Sequence, residues 1–338
     1  MSRRVRSSFT GIIEDDFLSQ KIHEGEKCMM DEKQKRILEI DQQIQELLEE
    51  KIHLKNEARQ MVENPRVVYQ GEPGAYSEMA ARKYFGKKVQ AKGLYQFEDT
   101  FRALKKGEAD YAVLPIENSS TGAIRQVYDL LIKYECYMVG ETTVAIRHNL
   151  MALPGTTLDD IDTVYSHEQG LFQCEAFLDQ HKSWKQIPTF DTAGSAKMVA
   201  KLKDKHKAAI CSARAAEIYG LEILEPSIQT NDLNTTRFVV ISPRMELRDH
   251  RDKICLSFAT KHQSGCLHQV LTIFANHNLN LVRIESRPIQ TTRWEYMFFV
   301  EMTGNLTDPG MEDVMASVRG ITSDFRIFGN FQSELEYE

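Results

Sequence analysis

Apolar residues near the start of the chain recur every three or four positions. Ile37, Ile40, Ile44, Leu47, Leu54, Ala58 and Met61 form one stripe, broken at Lys51 and widened by Leu48 and Ile52. No Gly or Pro interrupts the run before Pro65. The spacing predicts a long helix over 31–63 whose seam needs a partner. From Arg66 the period shortens. RVVYQ, YAVLPIE, TVYS, AAICS and RFVVIS read as buried strands, most ending in small polar residues that open helices. This alternation predicts an α/β architecture, with sites beyond the carboxyl ends of the strands. The polar stretch 243–252 suits a linker. After it, KICLSFA alternates, a helix spans Gly265 to Asn276, and LNLVRIESRP and RWEYMFFVEM read as strands. A helix near 310–318 and the strand SDFRIFG complete a ferredoxin-like βαββαβ unit.

A chain of 338 residues sets an expectation of two or three domains. Net charge is −7 and no basic block is long, which argues against a nucleic-acid partner. No apolar run approaches a membrane span. The basic start is interrupted by acidic residues, unlike a secretory signal. Met29 and Met30 resemble a more ordinary beginning, so 1–29 is expected to be a disordered extension or a start-site artefact. None of the six cysteines forms a C-x-x-C pair. Reduced thiols in a cytoplasmic protein are expected.

Four loops carry candidate chemistry. Gly71-Glu72-Pro73-Gly74-Ala75-Tyr76-Ser77 can approach an anion at a helix start, or can be a plain turn. Glu117-Asn118-Ser119-Ser120-Thr121 offers a carboxylate, an amide and hydroxyls, one of them a candidate cap for the next helix. Ser166 stands where an N-cap belongs, and helical spacing puts Gln173 on its side. Ser166-His167 does not make a hydrolase dyad, because neighbours in sequence do not set up that bond and no G-x-S-x-G elbow occurs. The fourth loop leads into Thr235-Thr236-Arg237-Phe238. No metal cluster, P-loop or nicotinamide fingerprint is found, so no cofactor is expected. Such a site works by anion binding, proton donation and positioning.

VVYQGEPGAYSEMAA, DYAVLPIENSSTGAI, VYSHEQGLFQC, AAICSARAAEIYGL and NTTRFVVIS resemble, in order, the motifs of prephenate dehydratases. The unit at 253–330 is similar to the ACT domain of those enzymes, through Gly265-Cys266-Leu267-His268 and Glu285-Ser286-Arg287-Pro288. The resemblance implies a two-lobed dehydratase domain over 66–243, on the plan of periplasmic binding proteins. Lobe 1 would be 66–144 plus 234–243, and lobe 2 would be 145–233. The implied reaction turns prephenate into phenylpyruvate with loss of carbon dioxide and water. The implied catalytic residues are Thr236, Glu117, Asn118, Ser166, Gln173 and Arg237. Gly74, Tyr76, Ser77, Ser119 and Ser120 are expected to touch substrate. Thr236 is expected to donate or relay the proton to the departing hydroxyl. Arg237, Glu117 or water is expected to complete that transfer, unless Arg237 instead holds the pyruvyl carboxylate.

The ACT unit is expected to bind phenylalanine as an allosteric inhibitor at Gly265, Cys266, Leu267, Asn280, Leu281, Glu285 and Ser286. Binding between paired ACT domains implies a homodimer or homotetramer, with the N-terminal helix as a second contact. Residues 30–64 resemble the first helix of a chorismate mutase domain. Lys51 and Gln34 stand where arginine is usual, and the later helices are missing. A dimerising remnant is therefore expected rather than a bifunctional mutase–dehydratase. The alternatives are an arogenate dehydratase and a non-catalytic aromatic-ligand sensor.

Overall fold

The structure is a computed structural model that describes residues 36, 40, 43, 64–248, 250–260, 263–289 and 295–334. Arg36, Ile40 and Gln43 are helical and exposed. The rest of the predicted N-terminal helix, and the extension before it, lie outside the described residues.

β1 (Arg66–Gln70) pairs in parallel with β2 (Gln90–Leu94) and β3 (Tyr111–Asn118). α1 (Tyr76–Phe85) and α2 (Phe97–Lys105) make the crossovers. β4 (Gly122–Ala123) folds back on the end of β3, and α3 (Arg125–Tyr134) leads to β5 (Tyr137–Ala145). The chain then builds a second sheet from β6 (Asn149–Ala152), β7 (Thr163–His167), β8 (Lys185–Thr189), β9 (Lys207–Cys211) and β10 (Glu222–Glu225). Between these strands run α4 (Glu168–Gln173), α5 (Glu175–Leu178), α6 (Thr192–Leu202) and α7 (Ala213–Tyr219). β11 (Thr235–Ser242) re-enters the first sheet between β3 and β5, antiparallel to both. The sheet orders are β2-β1-β3-β11-β5 and β10-β6-β9-β7-β8. Two α/β lobes are thus joined by two crossings. The crossings meet where Ile146 N–H donates to Asn234 O at 2.8 Å.

The C-terminal unit comprises β12 (Lys253–Thr260), α8 (Cys266–Asn276), β13 (Leu281–Pro288), β14 (Tyr296–Thr303), α9 (Met311–Ile321) and β15 (Ser323–Phe331). Its order, β13-β14-β12-β15, is the expected ferredoxin-like one. Strand alternation divides its side chains between two cores. Ile254, Leu256 and Phe258 pack under α8 and α9 with Val270, Phe274, Val314 and Val318. Cys255, Phe299 and Phe328 join Tyr128, Leu131 and Met138 of the first lobe. The sheet is therefore covered on both faces, except along its edge strand β13, where Ile284 and Ser286 are exposed. At Gly329 a Cβ would lie 1.9 Å from the carbonyl oxygen of Met138, so the β5–β15 approach has no room for a side chain.

Candidate active site

A cleft of about 660 Å³ is lined from both lobes. Lobe 1 supplies Tyr76, Ser77, Pro115, Asn118, Thr121, Ile124, Thr236 and Phe238. Lobe 2 and the crossings supply His148, His167, Gln169, Gly170, Gln173, Asp191 and Thr192. Helix starts converge here, with α1 opening at Tyr76, α4 at Glu168 and α6 at Thr192. Side-chain caps take the Gln169 N–H of α4 and the Gly194 N–H of α6, and the N–H groups left over make the cleft favourable for anions. No Lys or Arg is among the described residues that line it.

Thr236 and Asn118 face each other across the β11–β3 ladder. Asn118 Nδ2 donates to Thr236 Oγ1 at 2.9 Å and to Asn234 Oδ1 at 2.7 Å. Its Oδ1 accepts from the backbone N–H groups of Ser120 and Thr121 at 3.0 and 3.1 Å. The amide is thus consumed within the protein and holds the threonine in place. Oγ1 accepts from Asn118, so its one hydrogen remains for donation, and Thr236 lines the cleft.

His148 links the lobes. Its Nε2 lies 2.8 Å from Gln173 Oε1, and its Nδ1 lies 3.3 Å from Tyr76 Oη. Tyr76 Oη also donates to Arg147 O at 2.6 Å. Burial lowers the His148 pKa and the bond to Gln173 opposes it. Burial likewise lowers His167, with Asp191 and Glu168 opposing. Asp191 is raised by burial even though it caps α6 by accepting from Gly194 N–H. Burial pushes the Tyr76 hydroxyl well above its ordinary range. Burial thus shifts each of these groups in the direction of its neutral form.

Asn118, Gln173, Thr236, Tyr76 and Ser77 are brought together in the cleft, and six other expected residues are not. Arg237 and Glu117 form the next cross-strand pair and point through the opposite face. Arg237 grips Glu301 with two bonds of 2.7 and 2.8 Å, and contacts Glu141 and Glu117 at 3.0 Å each. Both residues therefore belong to the contact with the C-terminal unit. Ser166 is not the N-cap. β7 runs one residue further, His167 caps α4, and the buried Ser166 Oγ donates to Ile210 O at 2.8 Å. Its hydroxyl is spent beneath the helix, and no Ser166–His167 bond forms. Ser119 Oγ accepts from Thr235 N–H, and Ser120 Oγ accepts from Asn231 Nδ2. These hydroxyls close a turn. None caps α3, whose N-cap is Ile124.

Gly74 serves the lobe contact. Its φ is +95°, and a Cβ would meet Ala215 Cα at 2.8 Å. Ser212 Oγ donates to its carbonyl at 2.7 Å. Tyr219 Oη donates to Pro73 O at 2.9 Å, and Lys197 pairs with Glu72 at 2.7 Å across the same seam.

In the C-terminal unit, alternation along the edge strand β13 separates two expected effector residues. Ser286 is exposed, whereas Glu285 turns toward the first lobe, paired with Arg283 at 2.8 Å and Arg287 at 3.2 Å. Gly265 leads into α8 with a φ of +85°, and Asn280 N–H donates to Thr303 Oγ1 at 3.1 Å while its carbonyl accepts from Thr303 N–H at 2.8 Å.

Fold and cleft together define a class: a two-lobed α/β domain with a polar cleft between its lobes, followed by a ferredoxin-like module. The family models sharpen this: residues 67–246 match prephenate dehydratase and residues 257–320 match the ACT domain. The chain belongs to the prephenate dehydratase family. It is 38% identical over 274 residues to a bifunctional chorismate mutase/prephenate dehydratase of Escherichia coli, covering 80% of this chain and 71% of that protein. It is 39% identical over 289 residues to an arogenate dehydratase/prephenate dehydratase of Arabidopsis thaliana, covering 80% and 70%. The structure of prephenate dehydratase from Arthrobacter aurescens in complex with L-Phe superposes with a TM-score of 0.73 at 28% identity, covering 79% of this chain and 90% of that one.

Proposed function

We propose that the chain converts prephenate to phenylpyruvate, carbon dioxide and water, with Thr236 as the proton donor. The carrying observation is the Asn118–Thr236 bond, which leaves the hydroxyl of this cleft-lining threonine as a donor. In this reading the ring hydroxyl accepts from Thr236 as its C–O bond breaks. The electron pair of the bond to the departing carboxylate moves into the ring, which becomes aromatic. A solvent proton restores the threonine. Helix N-termini and the amide of Gln173 hold the carboxylates, and Phe238, Pro115 and Ile124 flank the ring. Neutral donors suffice because the charge disperses as carbon dioxide leaves. The purified chain should form phenylpyruvate from prephenate with a kcat/KM at least as high as its value on arogenate. A clear preference for arogenate would reassign the substrate, and no turnover of either would leave a sensor.

The ACT domain is assigned to phenylalanine inhibition, with Gly265, Cys266, Leu267, Asn280, Leu281 and Ser286 as the binding side. Exposed Ile284 and Ser286 on the edge strand support pairing with a second copy there. A cytoplasmic setting agrees with free thiols at Cys136, Cys174, Cys211, Cys255 and Cys266. Among the described residues no helix is long and apolar enough to cross a membrane.

A further inference from the structure

The cleft contains a buried histidine that the proposed chemistry does not use. We propose that His148 is a positioning residue that sets which end of the Gln173 amide faces the substrate. The inference rests on the dehydratase reading and concerns the same site. His148 sits on the first crossing between the lobes. Its backbone is fixed on both sides, because its N–H donates to Gln229 Oε1 at 3.0 Å and its carbonyl accepts from Ile228 N–H at 2.8 Å. The ring is therefore anchored to the hinge and stands edge-on to Tyr76, with ring centres 5.6 Å apart.

A primary amide has one accepting end and one donating end. Gln173 Oε1 lies 2.8 Å from His148 Nε2, so the ring must carry its proton on Nε2 to satisfy the contact. That donation pins the oxygen against the hinge and turns the NH2 end away from it, toward the cleft. The Nε2 tautomer leaves Nδ1 as an acceptor, and the Tyr76 hydroxyl, 2.6 Å from Arg147 O and 3.3 Å from Nδ1, has one hydrogen to share between these two acceptors. Without the Nε2 donor, the amide can rotate and present its oxygen to a carboxylate. In a cleft with no described Lys or Arg in its lining, losing one oriented donor should weaken substrate binding directly. The arrangement also spans the molecule, with Tyr76 from lobe 1, His148 from the hinge and Gln173 from lobe 2.

The test is steady-state kinetics on prephenate with His148→Gln, His148→Asn and His148→Leu, and with each combined with Gln173→Ala. Glutamine can place a donor near the Nε2 position, whereas asparagine reaches only the Nδ1 position. KM should rise about tenfold in the Asn and Leu variants, the scale of one buried hydrogen bond, with kcat nearly unchanged. The Gln variant should recover most of the wild-type KM. With Gln173→Ala present, the His148 substitutions should add little. An equal loss in all three variants, or full additivity with Gln173→Ala, overturns the proposal and leaves a packing role. Absence of prephenate turnover in the wild type strikes the underlying dehydratase reading instead.

A separate observation concerns the ion cluster. Glu285 pairs with Arg283, which lies 3.5 Å from both Glu117 and Glu301. Both of those carboxylates hold Arg237, the residue next to Thr236. We infer that this chain of charges is a route by which phenylalanine at the ACT domain alters the catalytic strand. Arg283→Met and Glu301→Gln should bind phenylalanine nearly as the wild type does by calorimetry. In both, the mutual weakening of phenylalanine and prephenate binding should fall about tenfold. Wild-type coupling in both variants, or loss of phenylalanine binding in step with inhibition, would overturn the route.

Discussion

At the scale of single residues, reactivity follows from which hydrogen-bonding capacity is already taken. Asn118 spends its amide on Thr236, Asn234 and the β3–β4 turn, and this leaves the threonine hydrogen free to act. Thr236→Val keeps the shape and removes that hydrogen. It should lower kcat by about 10²–10⁴-fold, the usual worth of general acid catalysis, with a smaller change in KM. Thr236→Ser should retain much of the rate, and stopped-time assays of phenylpyruvate distinguish the two variants. Much of the cleft was legible from motif position, including Asn118, Gln173 and Thr236. Glu117 and Arg237 were misplaced, although the sequence held the corrective signal. Neighbours on a strand point to opposite faces, so Thr236 and Arg237 cannot both enter one cleft. His148 carried no comparable signal, because its role comes from a bond to Gln173, 25 positions away.

At the scale of elements, the loop ahead of α1 locks the two lobes rather than cradling substrate through its glycines. Gly74 accepts the approach of α7 only because it lacks a Cβ. Gly74→Ala adds a steric clash and a strained positive φ, and should cost about 1–3 kcal/mol in urea unfolding. An unchanged midpoint would show that the lobes can part there without penalty. The strands and the βαββαβ order were readable from alternation and from Gly and Pro breaks. The Ser166 cap was misread by one position because strand ends are set by pairing. β7 continues to His167 against Thr189 of β8, and this partner is distant in sequence.

At the scale of the whole molecule, charge is buried where the two folded units meet. Lys253, Glu141, Arg237 and Glu301 are all nearly inaccessible. Such a cluster adds little net stability when complete, and removing one member leaves an uncompensated charge. Glu301→Gln should therefore destabilise the protein by about 3–5 kcal/mol in denaturant melts. Burial alone would raise the Glu301 carboxyl, but Arg237, Lys253 and Arg283 outweigh it and hold it below the ordinary 4.5. A lowered folded pKa means the stabilisation is complete above pH 4.5 and is lost as pH falls through the folded value. Thermal melts should show a loss in this acid range that Glu301→Gln reduces. The interface was not legible in the sequence, since Glu141 and Glu301 belong to no motif. The most direct test of the whole account is phenylpyruvate formation from purified prephenate, with and without millimolar phenylalanine. The account predicts turnover that phenylalanine suppresses. Turnover indifferent to phenylalanine would contradict the regulatory assignment, and no turnover would contradict the catalytic one.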